Sequence, residues 1–150
     1  LIKNSVQLSF IGDLSQFDQT LIEQMKKSEE LTYCEPKNKK LDLVVAASYG
    51  GRWDIVNAIN KIQDSGSNQV ITEESFSTFL STSAFRDPDL CIRTGNELRI
   101  SNFLLWQLAY SELYFPDILW PDFDDNQFDD ALEEYSKRSR RFGDKSNFQI

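Results

Sequence analysis

The chain has 150 residues, 40% of them apolar, a length and content that suit one globular domain with a real core. Its 16 basic and 24 acidic side chains give a formal charge of −8. That balance argues against sequence-independent nucleic-acid binding but leaves room for a local basic pocket for one small anion. Histidine is absent, which excludes a His-based triad, a His general base or a His-bearing zinc site within these residues.

In chain order, the sequence opens on Leu1-Ile2-Lys3 without an initiator methionine and runs at once toward a strand, so it is expected to be a piece of a longer protein. Residues 6–11 form a strand candidate closed by Gly12-Asp13. A helix is expected over about 15–31, with Phe17, Leu21, Ile22, Met25 and Leu31 broadly on one face. Residues 33–40 carry Pro36 and several lysines and read as an exposed loop. The stretch 41–47 is apolar but for Asp42, the pattern of a parallel strand buried on both faces. Gly50-Gly51 ends it, and a helix is expected over about 53–63.

Ser65-Gly66-Ser67-Asn68 is a flexible loop by composition, and Thr72 is the expected cap of a helix running to Leu80. A short strand at 90–93 comes next, then an apolar helix over 102–112 and a last short strand at 113–115. Trp120-Pro121-Asp122-Phe123 reads as a loop. A final amphipathic helix over about 125–139 is expected to turn Phe128, Leu132 and Tyr135 inward. Strands alternating with helices predict an α/β domain, a mostly parallel sheet flanked by helices, which binds ligands at the carboxyl ends of its strands. Tyr49-Gly50-Gly51-Arg52 and the stretch from Arg93 to Arg99 both occupy such ends. Cys34 and Cys91 lack metal-ligand spacing and form no disulfide framework, which fits a reducing, cytoplasmic setting.

Residues 89–103, Asp-Leu-Cys-Ile-Arg-Thr-Gly-Asn-Glu-Leu-Arg-Ile-Ser-Asn-Phe, are the richest in chemistry. They read as a short strand delivering Arg93, Arg99, Ser101 and a turn to the start of an apolar helix. Guanidinium forks and a helix N-terminus together suit a diphosphate. A plainer reading stands beside it: Arg93 pairs with a core carboxylate, and Ser101 caps the helix. Residue types alone do not separate the two.

Ser48-Tyr49-Gly50-Gly51-Arg52-Trp53-Asp54-Ile55 resembles the Tyr-Gly-Gly-Arg-Trp-Asp segment of the cis-prenyltransferases, the isoprenyl transferases of the undecaprenyl diphosphate synthase type. Ile92-Arg93-Thr94, Glu97, Arg99, Ser101-Asn102-Phe103, Trp106-Gln107 and Glu112 are similar to that family's C-terminal block. Trp120-Pro121-Asp122-Phe123 and residues 138–143 continue it. The similarity spans nearly the whole chain, in order and at family spacing.

The resemblance implies a Mg²⁺-dependent condensation of isopentenyl diphosphate onto an allylic prenyl diphosphate, with each new double bond in Z geometry. It implies that Arg93, Arg99, Ile100 and Ser101 form the isopentenyl diphosphate loop and that Glu112 meets Mg²⁺. It also implies a homodimer in which Arg141 and Gly143 reach the partner subunit's site. Leu41 is the corresponding candidate for a tunnel floor limiting product length. Arg52 and Trp53 are expected to lock the strand-to-helix turn. The apolar residues from Phe103 to Tyr110 are expected in the core and the dimer interface. Peripheral membrane contact is an expectation from the lipophilic product.

Two departures stand out. Asn96 replaces the family's usual glycine before Glu97, and asparagine tolerates positive φ. Leu98 replaces a residue that is polar in some relatives. The family's N-terminal Asp-Gly-Asn-Gly-Arg loop, with its essential aspartate, does not occur in these residues. The chain alone is therefore expected to hold no catalytic residue and to be inactive. Three readings follow: the C-terminal portion of a catalytic cis-prenyltransferase, a non-catalytic partner subunit of one, or an unrelated α/β module binding a phosphorylated ligand.

Overall fold

The computed structural model describes residues 1–66 and 68–138. Two compact units are present, residues 1–86 and residues from 87 onward. Each holds a two-stranded parallel sheet, so the α/β class stands, whereas the one sheet expected from sequence is two among the described residues.

In the first unit, β1 (Val6–Ile11) pairs with β2 (Leu41–Ala46) in the register Val6↔Leu41 to Ile11↔Ala46. The connection carries α1 (Gln19–Thr32), which starts where the Asp18 carboxylate accepts the Leu21 N–H at 2.9 Å. Helix side chains close the outer edge of β1. The Leu8 N–H donates to Thr32 Oγ1 at 3.1 Å, and the Phe10 N–H donates to Glu29 Oε1 at 2.7 Å. This is why Thr32 is buried and its neighbour Leu31, expected on the inner face, is exposed. Covering an edge in this way satisfies strand donors that would otherwise seek another strand.

The expectation that β2 is buried on both faces is not met. Leu41, Leu43 and Val45, one face of the strand, are exposed. Asp42 and Val44, on the other face, are half-buried, and among the described residues β2 pairs with β1 alone. Helix α2 (Gly51–Asp64) follows β2 directly. Its Asp54, 1% exposed, accepts Tyr49 Oη–H at 3.0 Å and the Ser81 N–H at 2.9 Å. Thr72 caps α3 (Glu73–Ser77) as expected, in a reciprocal capping box with Ser75, but the helix stops at Ser77 rather than Leu80. Phe76 and Leu80 still reach the core.

The turns after β1 and β2 lie against one another. Gly12 sits at φ +116°, and a Cβ there would stand 2.0 Å from the Ala47 carbonyl oxygen. The Asp13 N–H donates to Ser48 O at 3.1 Å across the same contact. Glycine is required here by both φ and space.

In the second unit, β3 (Leu90–Ile92) pairs with β4 (Glu112–Tyr114), with Leu90 opposite Glu112 and Ile92 opposite Tyr114. A parallel pair needs a crossover, usually a helix. Here residues 93–111 contain only a 3₁₀ turn, Gln107–Tyr110, in place of the helix expected over 102–112. The backbone explains the difference. Ser101, Asn102 and Leu104 have φ of 46°, 64° and 44°, left-handed values that no right-handed helix accommodates. Leu108 and Gln107 are buried, but Phe103 and Tyr110 are exposed.

Helix α4 (Asp125–Lys137) begins where the Asp124 carboxylate accepts the Gln127 N–H at 3.0 Å. Its packed face is set by Ala131, fully buried, whose small side chain permits close approach. Phe128 and Leu132, expected inward, lie on another stripe and are 47% and 42% exposed; Tyr135 is half-buried as expected. Among the described residues, no helix is long and apolar enough to cross a membrane.

Candidate anion-binding site

Arg93 follows β3 directly, and its N–H donates to Tyr114 O at 2.9 Å, which fixes the arginine at the carboxyl end of the strand. Its Nη1 donates to Ser101 Oγ at 2.7 Å and to the Arg99 carbonyl. One side chain thus folds the whole Arg93-to-Ser101 loop back on itself. The plainer readings of these residues fail: Arg93 turns to the loop rather than to a core carboxylate, and no helix begins at Ser101 for it to cap. The anion site loses its expected helix N-terminus by the same finding.

The loop is built from unusual backbone. Gly95 has φ 93° and Asn96 φ 55°, so asparagine takes up the left-handed turn that its glycine-like tolerance allows. The Gly95 N–H is anchored to Ile118 O at 2.7 Å. With Ser101, Asn102 and Leu104, four non-glycine residues within this short stretch are left-handed, a concentration of backbone strain typical of binding loops. The Arg99 guanidinium is exposed and forms an ion pair with Glu97. Ile100 is half-buried between the two polar positions, and Leu98 is exposed.

A cavity of 280 Å³ lies on one flank of this loop, lined by Gly95, Asn96, Asp117, Ile118, Leu119 and Asp122. The carboxylates of Asp117 and Asp122 make this flank of the loop unfavourable to an anion.

Glu112 begins β4, and its Oε2 accepts Arg138 Nη1 at 2.9 Å. The same Nη1 reaches Leu113 O at 2.9 Å, while Nη2 bonds Glu134 Oε1 at 3.2 Å. These bonds, that to Glu112 foremost, hold the Arg138 guanidinium above its ordinary pKa range. Sequence reasoning missed this link, for which the only sign was the Glu134/Arg138 spacing of four on one helix face. Among the described residues, no three His, Cys, Asp or Glu side chains gather as a metal cage. Glu112 by itself is a hard oxygen donor, the type that holds Mg²⁺ jointly with substrate phosphates.

In the first unit, Leu41 opens β2 on its exposed face. The Tyr49 and Trp53 rings meet edge to face at 6.3 Å, so Trp53 packs the strand-to-helix turn as expected, while Arg52 is exposed. Arg141 and Gly143 lie outside the described residues.

The family profile for undecaprenyl diphosphate synthase, within the prenyltransferases, matches residues 1–143. The chain belongs to this family of cis-prenyltransferases. It is 49% identical over 146 residues to the farnesyl-diphosphate-specific ditrans,polycis-undecaprenyl-diphosphate synthase of Wigglesworthia glossinidia brevipalpis, covering 94% of this chain and 55% of that protein. Against an isoprenyl transferase of Neisseria meningitidis the identity is 48% over 143 residues, covering 95% and 56%. The chain spans about half the length of these curated relatives.

Solved structures of the family share the fold. A crystal structure of a probable undecaprenyl diphosphate synthase from Campylobacter jejuni aligns with a TM-score of 0.82 at 36% identity, over 95% of this chain and 65% of that one. Lavandulyl diphosphate synthase from Lavandula x intermedia, solved with dimethylallyl diphosphate, aligns at 0.85 and 39% identity, over 93% and 61%. Membership in the cis-prenyltransferase family removes the reading as an unrelated phosphate-binding module.

Proposed function

We propose that this chain is the portion of a cis-prenyltransferase that binds isopentenyl diphosphate, the nucleophilic substrate in a Z-selective condensation onto an allylic prenyl diphosphate. The observation that carries the reading is the Arg93–Ser101 clasp beside Arg99, on a strand end, in a chain of this family. The names of its relatives, ditrans,polycis synthases and a transferase holding dimethylallyl diphosphate, support the substrate class and the geometry. Retention of Arg93, Arg99, Ser101 and Glu112 favours a catalytic protein over a supporting subunit, which has no physical need for them.

In this reading Arg93 commits Nη1 to the loop and offers its remaining N–H edge to phosphate oxygens. Arg99 contributes a second fork once Glu97 is displaced from it, and Ser101 donates its hydroxyl proton. Ile100, between them, faces the apolar isopentenyl carbons. The site thereby orients the homoallylic double bond toward the allylic carbon, whose diphosphate departs as the new bond forms; the C2 proton is then lost. The groups that activate the allylic partner come from outside these residues, so the chain alone should not turn over. Glu112 would hold Mg²⁺, which when bound supplies neutralisation and orientation of diphosphate oxygens. Arg141 and Gly143 would serve the partner subunit's site in a homodimer. The exposed row Leu41, Leu43 and Val45 would line the path of the growing chain, with Leu41 as its floor. Such a product partitions into lipid, which gives the protein a reason for peripheral membrane contact in the cytoplasm.

The test is incorporation of labelled isopentenyl diphosphate into an allylic primer by the full-length protein with Mg²⁺, with the product double bonds assigned by NMR. Z-configured polyprenyl diphosphate is the expected result. No incorporation, or E geometry, overturns the reading.

A further inference from the structure

We propose that Arg138 is a positioning residue for Glu112, holding its carboxylate in place and competing with a divalent cation for it. The inference rests on Glu112 being the cation ligand of the reaction proposed above. Three contacts define the arrangement: Arg138 Nη1 to Glu112 Oε2 at 2.9 Å, Nη1 to Leu113 O at 2.9 Å, and Nη2 to Glu134 Oε1 at 3.2 Å. They join the end of α4 to the first two residues of β4, across 26 positions of sequence.

The two occupants oppose one another. Arg138 takes up Oε2 of the carboxylate, and its positive charge repels a cation that approaches the same group. Both groups are about 30% exposed at the side chain, 30% for Arg138 and 27% for Glu112, so the repulsion is only partly screened by solvent. Glu134 and Leu113 O give Arg138 a place to remain when Glu112 is taken, so the swap is local. Arg138 is also the residue at which α4 ends, with φ −79° and ψ 133°.

Mn²⁺, read by electron paramagnetic resonance as the free ion, is the probe. It is titrated into the full-length protein with inorganic pyrophosphate present and no turnover. Arg138→Gln should tighten Mn²⁺ about tenfold, the expected effect of removing one adjacent like charge. Arg138→Lys, still cationic, should stay near the parent value, and Glu112→Gln combined with Arg138→Gln should erase the gain. Equal or weaker binding in Arg138→Gln, a gain that survives Glu112→Gln, or no measurable Mn²⁺ in any variant overturns the proposal. Should Arg138→Gln melt early, Glu134→Gln takes away the carboxylate that holds Arg138 when Glu112 is filled. It should weaken Mn²⁺ by about twofold, and an unchanged or tighter affinity counts against the proposal. Transfer activity is measured separately: its loss with the Mn²⁺ pattern intact rejects the enzyme reading alone, and the reverse pattern rejects the role of Arg138 alone.

Discussion

Removing the Arg93 side chain should open the anion loop and weaken diphosphate binding together. Its two bonds, to Ser101 Oγ and the Arg99 carbonyl, come from a charged donor at an exposed site, so each is worth about 1.5 kcal/mol, the low end of the range for charged groups. Against them stand Ser101, Asn102 and Leu104 in left-handed backbone, costing about 1 kcal/mol each. The two sums nearly cancel at about 3 kcal/mol. The loop is therefore held closed by little beyond the arginine and the Gly95 anchor to Ile118. In Arg93→Ala the clasp is gone and the strain remains, which favours the open loop by a factor of about 100. Calorimetric titration of inorganic pyrophosphate into the full-length protein should show at least that loss in affinity. Hydrogen exchange of the amides over 95–104 should accelerate in parallel, while β3 and β4 stay protected. Arg93→Lys keeps the charge but not the planar fork and should lose about tenfold. Pyrophosphate binding in Arg93→Ala within threefold of the parent, or unchanged exchange over 95–104, would refute this account of the loop.

Gly12→Ala places a Cβ 2.0 Å from a backbone oxygen at φ +116°, and should cost about 3 kcal/mol or more in urea unfolding; a loss under about 1 kcal/mol would show that the two turns can separate freely. Asp54→Ala removes the acceptor of both the Tyr49 hydroxyl and the Ser81 N–H and should cost about 2–4 kcal/mol, whereas Asp54→Asn keeps one acceptor and should lose about half of that. Equal melting temperatures for the two variants would contradict it. Burial raises the Cys91 thiol pKa, only partly offset by Arg93, because desolvation disfavours the thiolate. Its alkylation by iodoacetamide in a Cys34→Ser background should therefore be slow at pH 8 and rise only at pH values above the ordinary thiol range. A rate at pH 8 equal to that of free cysteine would contradict the burial.

The local order of the chain was legible because local chemistry sets it. Short apolar runs, helical apolar spacing and glycines at 12 and 50–51 place both long helices, the last helix and the four strands of the described residues near their observed bounds. Arg93, Arg99 and Ser101 drew notice as forked donors and a hydroxyl near a strand end, but residue types left a plainer reading open, and it was the family resemblance that pointed them toward a diphosphate. The helix expected at 102–112 shows the limit. Its apolar residues fit a helical stripe, but Ser101, Asn102 and Leu104 are held left-handed by a loop that Arg93 closes from eight residues away. Helical periodicity carries no trace of such a tertiary bond.

The remaining differences share that cause. The sequence by itself determined most helix and strand segments, though not 102–112, and where cationic groups gather, since propensity, capping and charge act over a few residues. Only the tertiary structure decided that Thr32 and Glu29 close the edge of β1, that Ala131 rather than Phe128 or Leu132 faces the core, and that Glu112 lies in the grip of Arg138. Each of these depends on which surfaces meet across 19 or more residues, or, for Ala131, on which stripe of a doubly apolar helix finds a partner. Spacing along the chain leaves such choices open, and packing closes them.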